Sequence, residues 1–167
     1  VEIKIETNGL DLDDKACDRQ QALKIACVQI SIDGAAAAVH EKLRPGSGYQ
    51  PAWEAIDRLV ARGLEPELVF IPTRLNVSDA VTVYEQAAKR GVRTFVTGPM
   101  MRLGRAAHAW DSLACTDTDW SEAVLGLKAA AADDIVSIEW TKQAFQNPFA
   151  PLSAITRLPV HLVWSSP

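Results

Sequence analysis

Strict alternation of apolar and polar residues opens the chain, in Val1-Glu2-Ile3-Lys4-Ile5-Glu6-Thr7. That is the period of a strand with two unlike faces. Asn8-Gly9 breaks it. Leu10 to Ile25 is polar, with Leu12, Ala16 and Leu23 at helical spacing, and Asp11 or Asp13 is placed to cap its start. The next run, Cys27 to Ile32, is short and largely apolar, as in strands covered on both faces. Asp33-Gly34 ends it, and Ala35 to Leu43 has the pattern of a short helix. After the loop Arg44-Pro45-Gly46-Ser47-Gly48, the segment Pro51 to Arg62 sets Trp53, Ile56, Leu59 and Val60 on one helical face and stops at Gly63.

A third strand is predicted from Leu68 to Ile71, limited by Pro72, which has no donor for a neighbour. Ser78 then caps a helix to Arg90 with Val81, Tyr84 and Ala88 inward. The fourth strand is Arg93 to Thr97, followed by Gly98-Pro99, and Met100 to Ala106 holds a second glycine, Gly104. Asp117 or Asp119 is placed to cap a helix from Trp120 to Ala132, and Ile135 to Trp140 and Val160 to Trp164 read as fifth and sixth strands. Strand and helix alternate four times over, which points to an α/β fold with a parallel sheet and helices packed outside it. Right-handed crossovers put those helices on one side of a curving sheet. A full or partial barrel fits, and an open doubly wound sheet is the competing form.

The 167 residues have room for one ordinary domain, and 48% are hydrophobic, enough for a core. The net charge of −4, with no run of Lys or Arg, argues against a nucleic-acid partner held by charge. No apolar stretch approaches the roughly 20 residues of a membrane span, and no signal peptide is visible. Cys17, Cys27 and Cys115 are too few and too scattered for a disulfide framework or a metal cluster. His40, His108 and His161 share no ligand spacing either. Buried free thiols in a cytoplasmic protein are the expectation. A chain that enters a strand at Val1 and ends just after another is expected to be a fragment.

The chemistry gathers after the strands. Thr7-Asn8-Gly9, Ser31-Ile32-Asp33-Gly34, Thr73-Arg74-Leu75-Asn76 and Thr97-Gly98-Pro99 would all lie on one rim of a parallel barrel, where such folds bind substrates. Asn-Gly and Asp-Gly also form turns on their own account.

These residues resemble a known family. Thr7-Asn8-Gly9, then Gln29-Ile30-Ser31-Ile32-Asp33-Gly34, His40, Leu43-Arg44 and Gly46-Ser47-Gly48 resemble the middle of a radical S-adenosylmethionine (radical SAM) barrel. The likeness is greatest to the branch with auxiliary-cluster (SPASM or twitch) domains, which includes peptide-modifying and anaerobic sulfatase maturases. Thr73-Arg74-Leu75-Asn76 and Gly104-Arg105-Ala106 extend it over residues 1 to about 107.

The resemblance implies a partial TIM-type (β/α) barrel covering roughly the third to sixth family strands, plus a C-terminal extension. Residues 1–107 would be its central and C-terminal part, and 108–167 its closure or the start of a SPASM- or twitch-like region. It implies an enzyme that cleaves SAM reductively at a [4Fe–4S] cluster and takes a hydrogen atom from a peptide, protein or small-molecule substrate, with an external electron donor. The family's Cys-x-x-x-Cys-x-x-Cys loop and Gly-Gly-Glu motif do not occur in this sequence. The fragment alone is therefore expected to be inactive, to hold no cofactor and to offer no metal ligands.

Residue by residue, the resemblance aligns Ser31 with the position that bonds the SAM ribose. Arg44 aligns with an arginine that pairs with the SAM carboxylate in some members, for which a guanidinium fork is suited. Asp33 supports the same group or holds the turn. Thr7 and Asn8 sit near cofactor or substrate, and Gly98 lets backbone approach a flat ring. Asn76, at the rim after the third strand, is placed to face the adenine or the substrate; Arg44 as a surface charge and Asn76 as a helix cap with Ser78 are the plainer alternatives. Met100, Met101 and Leu103 are candidates to pack on that ring, and Arg105 and Glu139 are more distant candidates for contact. Two other readings remain: a degenerate, noncatalytic module that binds a peptide or partner subunit, and an unrelated aldolase-like barrel. The latter needs a lysine at a strand end, whereas Lys4 lies within a strand.

Overall fold

The computed structural model of the protein describes residues 3–132 and the strand residues 137–140. Five strands run parallel in the order β1-β2-β3-β4-β5: Lys4–Thr7, Cys27–Ser31, Glu67–Phe70, Thr94–Thr97 and Ser137–Trp140. Sequential order without a reversal is the arrangement of a barrel wall; a doubly wound sheet reverses at a switch point. Seven helices lie between the strands among the described residues: α1 Asp14–Ala22, α2 Ala37–Leu43, α3 Tyr49–Ala61, α4 Ala80–Lys89, α5 Gly104–His108, α6 Trp110–Leu113 and α7 Asp117–Ala131.

Side-chain alternation explains why one face takes the helices. In β2, Val28 and Ile30 point one way, and in β3 and β4 they are matched by Leu68, Phe70 and Phe95. These pack with Trp53, Ile56 and Leu59 of α3, Val83, Tyr84 and Ala87 of α4 and Leu127 of α7 in one core. Each buried Leu, Ile or Phe contributes about 1.5–3 kcal/mol. Phe95 stacks on Phe70 and meets Tyr84 edge-on.

The other face is polar. Register pairs Lys4 with Cys27, Glu6 with Gln29, and Gln29 with Glu67. Glu67 accepts from Gln29 Nε2 at 2.5 Å and pairs with Lys4 Nζ at 2.8 Å. Gln29 is the polar exception in the largely apolar β2, and it meets a charged neighbour.

Several boundaries differ from the sequence-based expectation. Asp13, one of the two expected caps, accepts from Ala16 N at 2.7 Å and starts α1. The helix stops at Ala22, and Lys24 turns left-handed at φ 52°. Leu23 consequently stays 64% exposed, and Cys17 takes the buried position instead. Helix α7 is capped by Thr116, which bonds Asp119 N while the Asp119 carboxylate bonds back, so neither aspartate is itself the cap. The segment from Met100 to Ala106 runs into α5. Ile135 and the sixth strand, Val160 to Trp164, lie outside the described residues.

Candidate functional site: the rim at the strand ends

Because the strands are parallel, Thr7, Ser31, Phe70 and Thr97 end β1 to β4 on the same edge of the sheet. The turns beyond them form one rim. The local residues explain how each turn is held. Thr7 Oγ1 accepts from Gly9 N at 3.1 Å, and Asn8 Oδ1 from Leu10 N at 3.2 Å. Gly9 sits at φ 81° with space for a Cβ only 3.1 Å from Ala55 Cβ, so this turn needs glycine both for its dihedral and for the approach of α3.

Register separates the residues expected at the site. Ser31 shares the polar face with Gln29 and Glu6, and its hydroxyl has no hydrogen-bond partner among the described residues. The register carried one residue on brings exposed Asn8 beside it. Thr7 shares the parity of Ile5, the helix-facing side, and its hydroxyl is used within its own turn. The structure therefore gives Thr7 a turn-holding part. The signal was in the sequence: Ile3, Ile5 and Thr7 alternate on one side.

Asp33 is the hinge of the rim. Its carboxylate accepts from Arg44 Nε and, at 3.0 Å, from Ile71 N. Its backbone N–H donates to His40 Nδ1 at 3.0 Å, and its carbonyl accepts from Asn76 Nδ2 at 3.1 Å. All four polar groups of this 5% exposed residue are thus satisfied inside the protein. Arg44 is neither a free surface charge nor fully committed: Nε is on Asp33, and its terminal nitrogens have no partner among the described residues.

Asn76 is fully buried and does not cap a helix. Its Oδ1 accepts from Thr73 N and from Thr73 Oγ1 at 2.8 Å, while Nδ2 bonds Asp33 O and Ile71 O. A 3-10 turn, Val77–Asp79, precedes α4, so Ser78 does not cap it. Asp79 instead accepts from Ala35 N at 2.9 Å, tying the turn after β2 to the start of α4. Gly98 is buried at the end of β4; Met101 and Leu103 are 46% and 66% exposed, and Arg105 is exposed on α5. Glu139 is in β5 opposite Val96.

Three groups behind the rim and on the polar face carry shifted protonation. Burial, aided by the Arg44 charge and opposed by Asp33 and Glu41, holds the His40 imidazole below its ordinary value of 6.5. An unfolded chain protonates its histidine at that ordinary value, whereas the folded imidazole does so only at lower pH. Between the two, the unfolded state binds more protons. The His40 contribution to stability is therefore complete above about pH 6.5 and is lost as the pH falls below it. Urea unfolding at pH 7.5 and 5.5 checks this: the midpoint drops at the lower pH, and His40→Asn reduces the drop. On the polar face, burial and hydrogen bonding to Glu67 push the Cys27 thiol up to about 12, which makes it an inert thiol. Burial raises the Glu67 carboxyl, but bonds from Lys4, Cys27 and Gln29 outweigh it and hold the acid below its usual range.

Among the described residues no three His, Cys, Asp or Glu are grouped to hold a metal. No described helix is long and apolar enough to cross a membrane.

No protein-family model matches the chain. Among curated proteins it is 30% identical over 114 residues to the mycofactocin maturase MftC of Mycobacterium ulcerans (strain Agy99), covering 68% of this chain and 31% of that protein. It is 28% identical over 123 residues to the sporulation killing factor maturation protein SkfB of Bacillus subtilis (strain 168), covering 73% of this chain and 29% of SkfB. The chain thus spans about a third of the length of the curated relatives it matches. Among solved structures, native anSMEcpe with bound AdoMet superposes with a TM-score of 0.60 at 15% identity, over 82% of this chain and 40% of that one. That likeness is one of fold: a (β/α) barrel wall with parallel strands in sequence order. Maturase relatives, the strand-end motifs and the shared barrel agree, and the chain belongs to the radical SAM superfamily.

Proposed function

We propose that the chain forms the middle of a SPASM- or twitch-type radical SAM barrel and holds S-adenosylmethionine on the rim described above. The observation that carries this reading is the pairing of open valences with rigid supports. Among the described residues, Ser31 offers an unpartnered hydroxyl on the polar face, and Arg44 offers two unpartnered nitrogens on a guanidinium fixed through Asp33. A hydroxyl both donates and accepts, as a ribose diol requires. A guanidinium edge suits a carboxylate. The residues present therefore fit SAM. Asn8 borders Ser31, and Gly98 would let the β4 turn lie against the adenine. Thr7 contributes by shaping the first turn.

SAM, when bound, supplies an adenosyl group for hydrogen-atom abstraction. This chain's own residues bind it, orient it and wall it from water. The described residues offer no ligand set for a [4Fe–4S] cluster, and no step here is assigned to one. The whole enzyme would draw its cluster ligands and electron donor from outside these residues. The chain alone would not cleave SAM. The substrate class is a peptide or protein side chain, in keeping with maturase relatives. Residues 1–107 would be barrel and 108–167 its closure or the start of an auxiliary region. A cytoplasmic location and the absence of nucleic-acid and membrane partners belong to the same proposal.

The test is isothermal titration of the intact enzyme with SAM. Ser31→Ala is expected to weaken binding by one hydrogen bond, about 1 kcal/mol or roughly fivefold. Unchanged affinity would remove Ser31 from the site.

A further inference from the structure

His40 lies behind the rim, fully buried, and touches no open space. Its ring is fixed in one tautomer by two independent constraints. Nδ1 accepts from the Asp33 N–H, so it carries no proton. Ser47 Oγ donates its proton to the Arg44 carbonyl at 2.8 Å, so toward His40 Nε2, also 2.8 Å away, it can only accept. The imidazole is therefore neutral, with its proton on Nε2.

The links form a closed bracket. His40 holds the backbone of Asp33 on one side and, through Ser47, the carbonyl of Arg44 on the other. The Arg44 N–H donates to His40 O at 2.8 Å, one turn back along α2. Arg44 is thus held at its N–H, its carbonyl and its Nε, leaving only the terminal nitrogens to bind. Holding a long side chain in its binding geometry beforehand removes the ordering cost from association.

We infer that His40, with Ser47, is a positioning residue that pre-aims the Arg44 guanidinium at the carboxylate of the bound ligand. This rests on the assignment of Arg44 to the SAM carboxylate. The charged and titratable groups around the ring are Asp33 from the turn after β2, Arg44 and Glu41 from α2 and its end, and Tyr49 from α3, whose ring centroid is 5.8 Å away. Protonation of Nδ1 would set N–H against the Asp33 N–H and open the bracket.

The experiment compares SAM with decarboxylated SAM, which lacks the group Arg44 would read, by titration on the intact enzyme that contains this chain. Wild type is expected to prefer SAM by at least roughly tenfold, and Arg44→Ala to abolish that preference. Ser47→Ala, a mild change, should reduce the preference several-fold while leaving affinity for decarboxylated SAM unchanged. His40→Asn retains an acceptor near the Nδ1 position but loses the Ser47 link, and should resemble Ser47→Ala. A preference that Arg44→Ala removes but Ser47→Ala and His40→Asn leave intact overturns the inference and spares the cofactor reading. No preference, or no binding, in wild type overturns that reading and the inference with it.

Discussion

Asp33→Ala is expected to destabilise the protein by about 3 kcal/mol, lowering the urea midpoint by about 2 M. The carboxylate has two oxygens and two demanding partners: Ile71 N at 3.0 Å, and Arg44 Nε. Removing it strands a backbone donor at the end of β3 and a guanidinium beside it. An unsatisfied buried donor alone costs about 1–3 kcal/mol, more when charge is involved. The Asp33 side chain is 8% exposed, which places its loss among buried-pair effects, while the 34% exposure of Arg44 lets water recover part of the cost. Asp33→Asn should fall between wild type and Asp33→Ala. Its amide oxygen can replace one acceptor, but its NH2 must then face the other donor. Equal stability of Asp33→Asn and wild type would mean that one of the two bonds does not form.

Gly34→Ala is expected to cost at least about 3 kcal/mol, beyond the ordinary range for one extra methyl in a packed interior. A Cβ at position 34 would lie 2.6 Å from His40 N and 2.9 Å from Val39 Cβ. The first neighbour is backbone of α2, so no rotamer change relieves the clash; the helix has to move away from the strand. That movement pulls His40 from Asp33 and, with it, the bracket around Arg44. Thermal unfolding measures the stability loss. The same variant should also lose the SAM preference over decarboxylated SAM under conditions where it remains folded. Gly46→Ala is the control. It has φ 81° but nothing within 4 Å, so it carries a dihedral strain without the clash and should cost less.

How much of this could be read from the chain alone depends on distance along it. Periodicity located β1 to β4 and helices α3 and α4, since a strand of period two or a helix of 3.6 writes itself into neighbouring residues. Parallel pairing followed from the alternation of types. Caps were less legible. Thr116 is masked in the sequence by the aspartates that follow it, because a capping box is reciprocal and either end of it looks like a cap. Parity along β1 would have placed Thr7 with Ile5 on the helix side. The bracket was not legible: Asn76 reaches Asp33 across 43 residues, and nothing local to either one announces it. The sequence shows His40 only as part of a family pattern; its work follows from two ring nitrogens with different partners, which no local pattern encodes.

A structure of the intact enzyme with S-adenosylhomocysteine bound is the most direct test of this site. The adenosine should lie across the trailing ends of β1 to β4, with a ribose hydroxyl within hydrogen-bond distance of Ser31 Oγ and the carboxylate on the Arg44 terminal nitrogens. A ligand seated elsewhere, with Ser31 and Arg44 untouched, would contradict it.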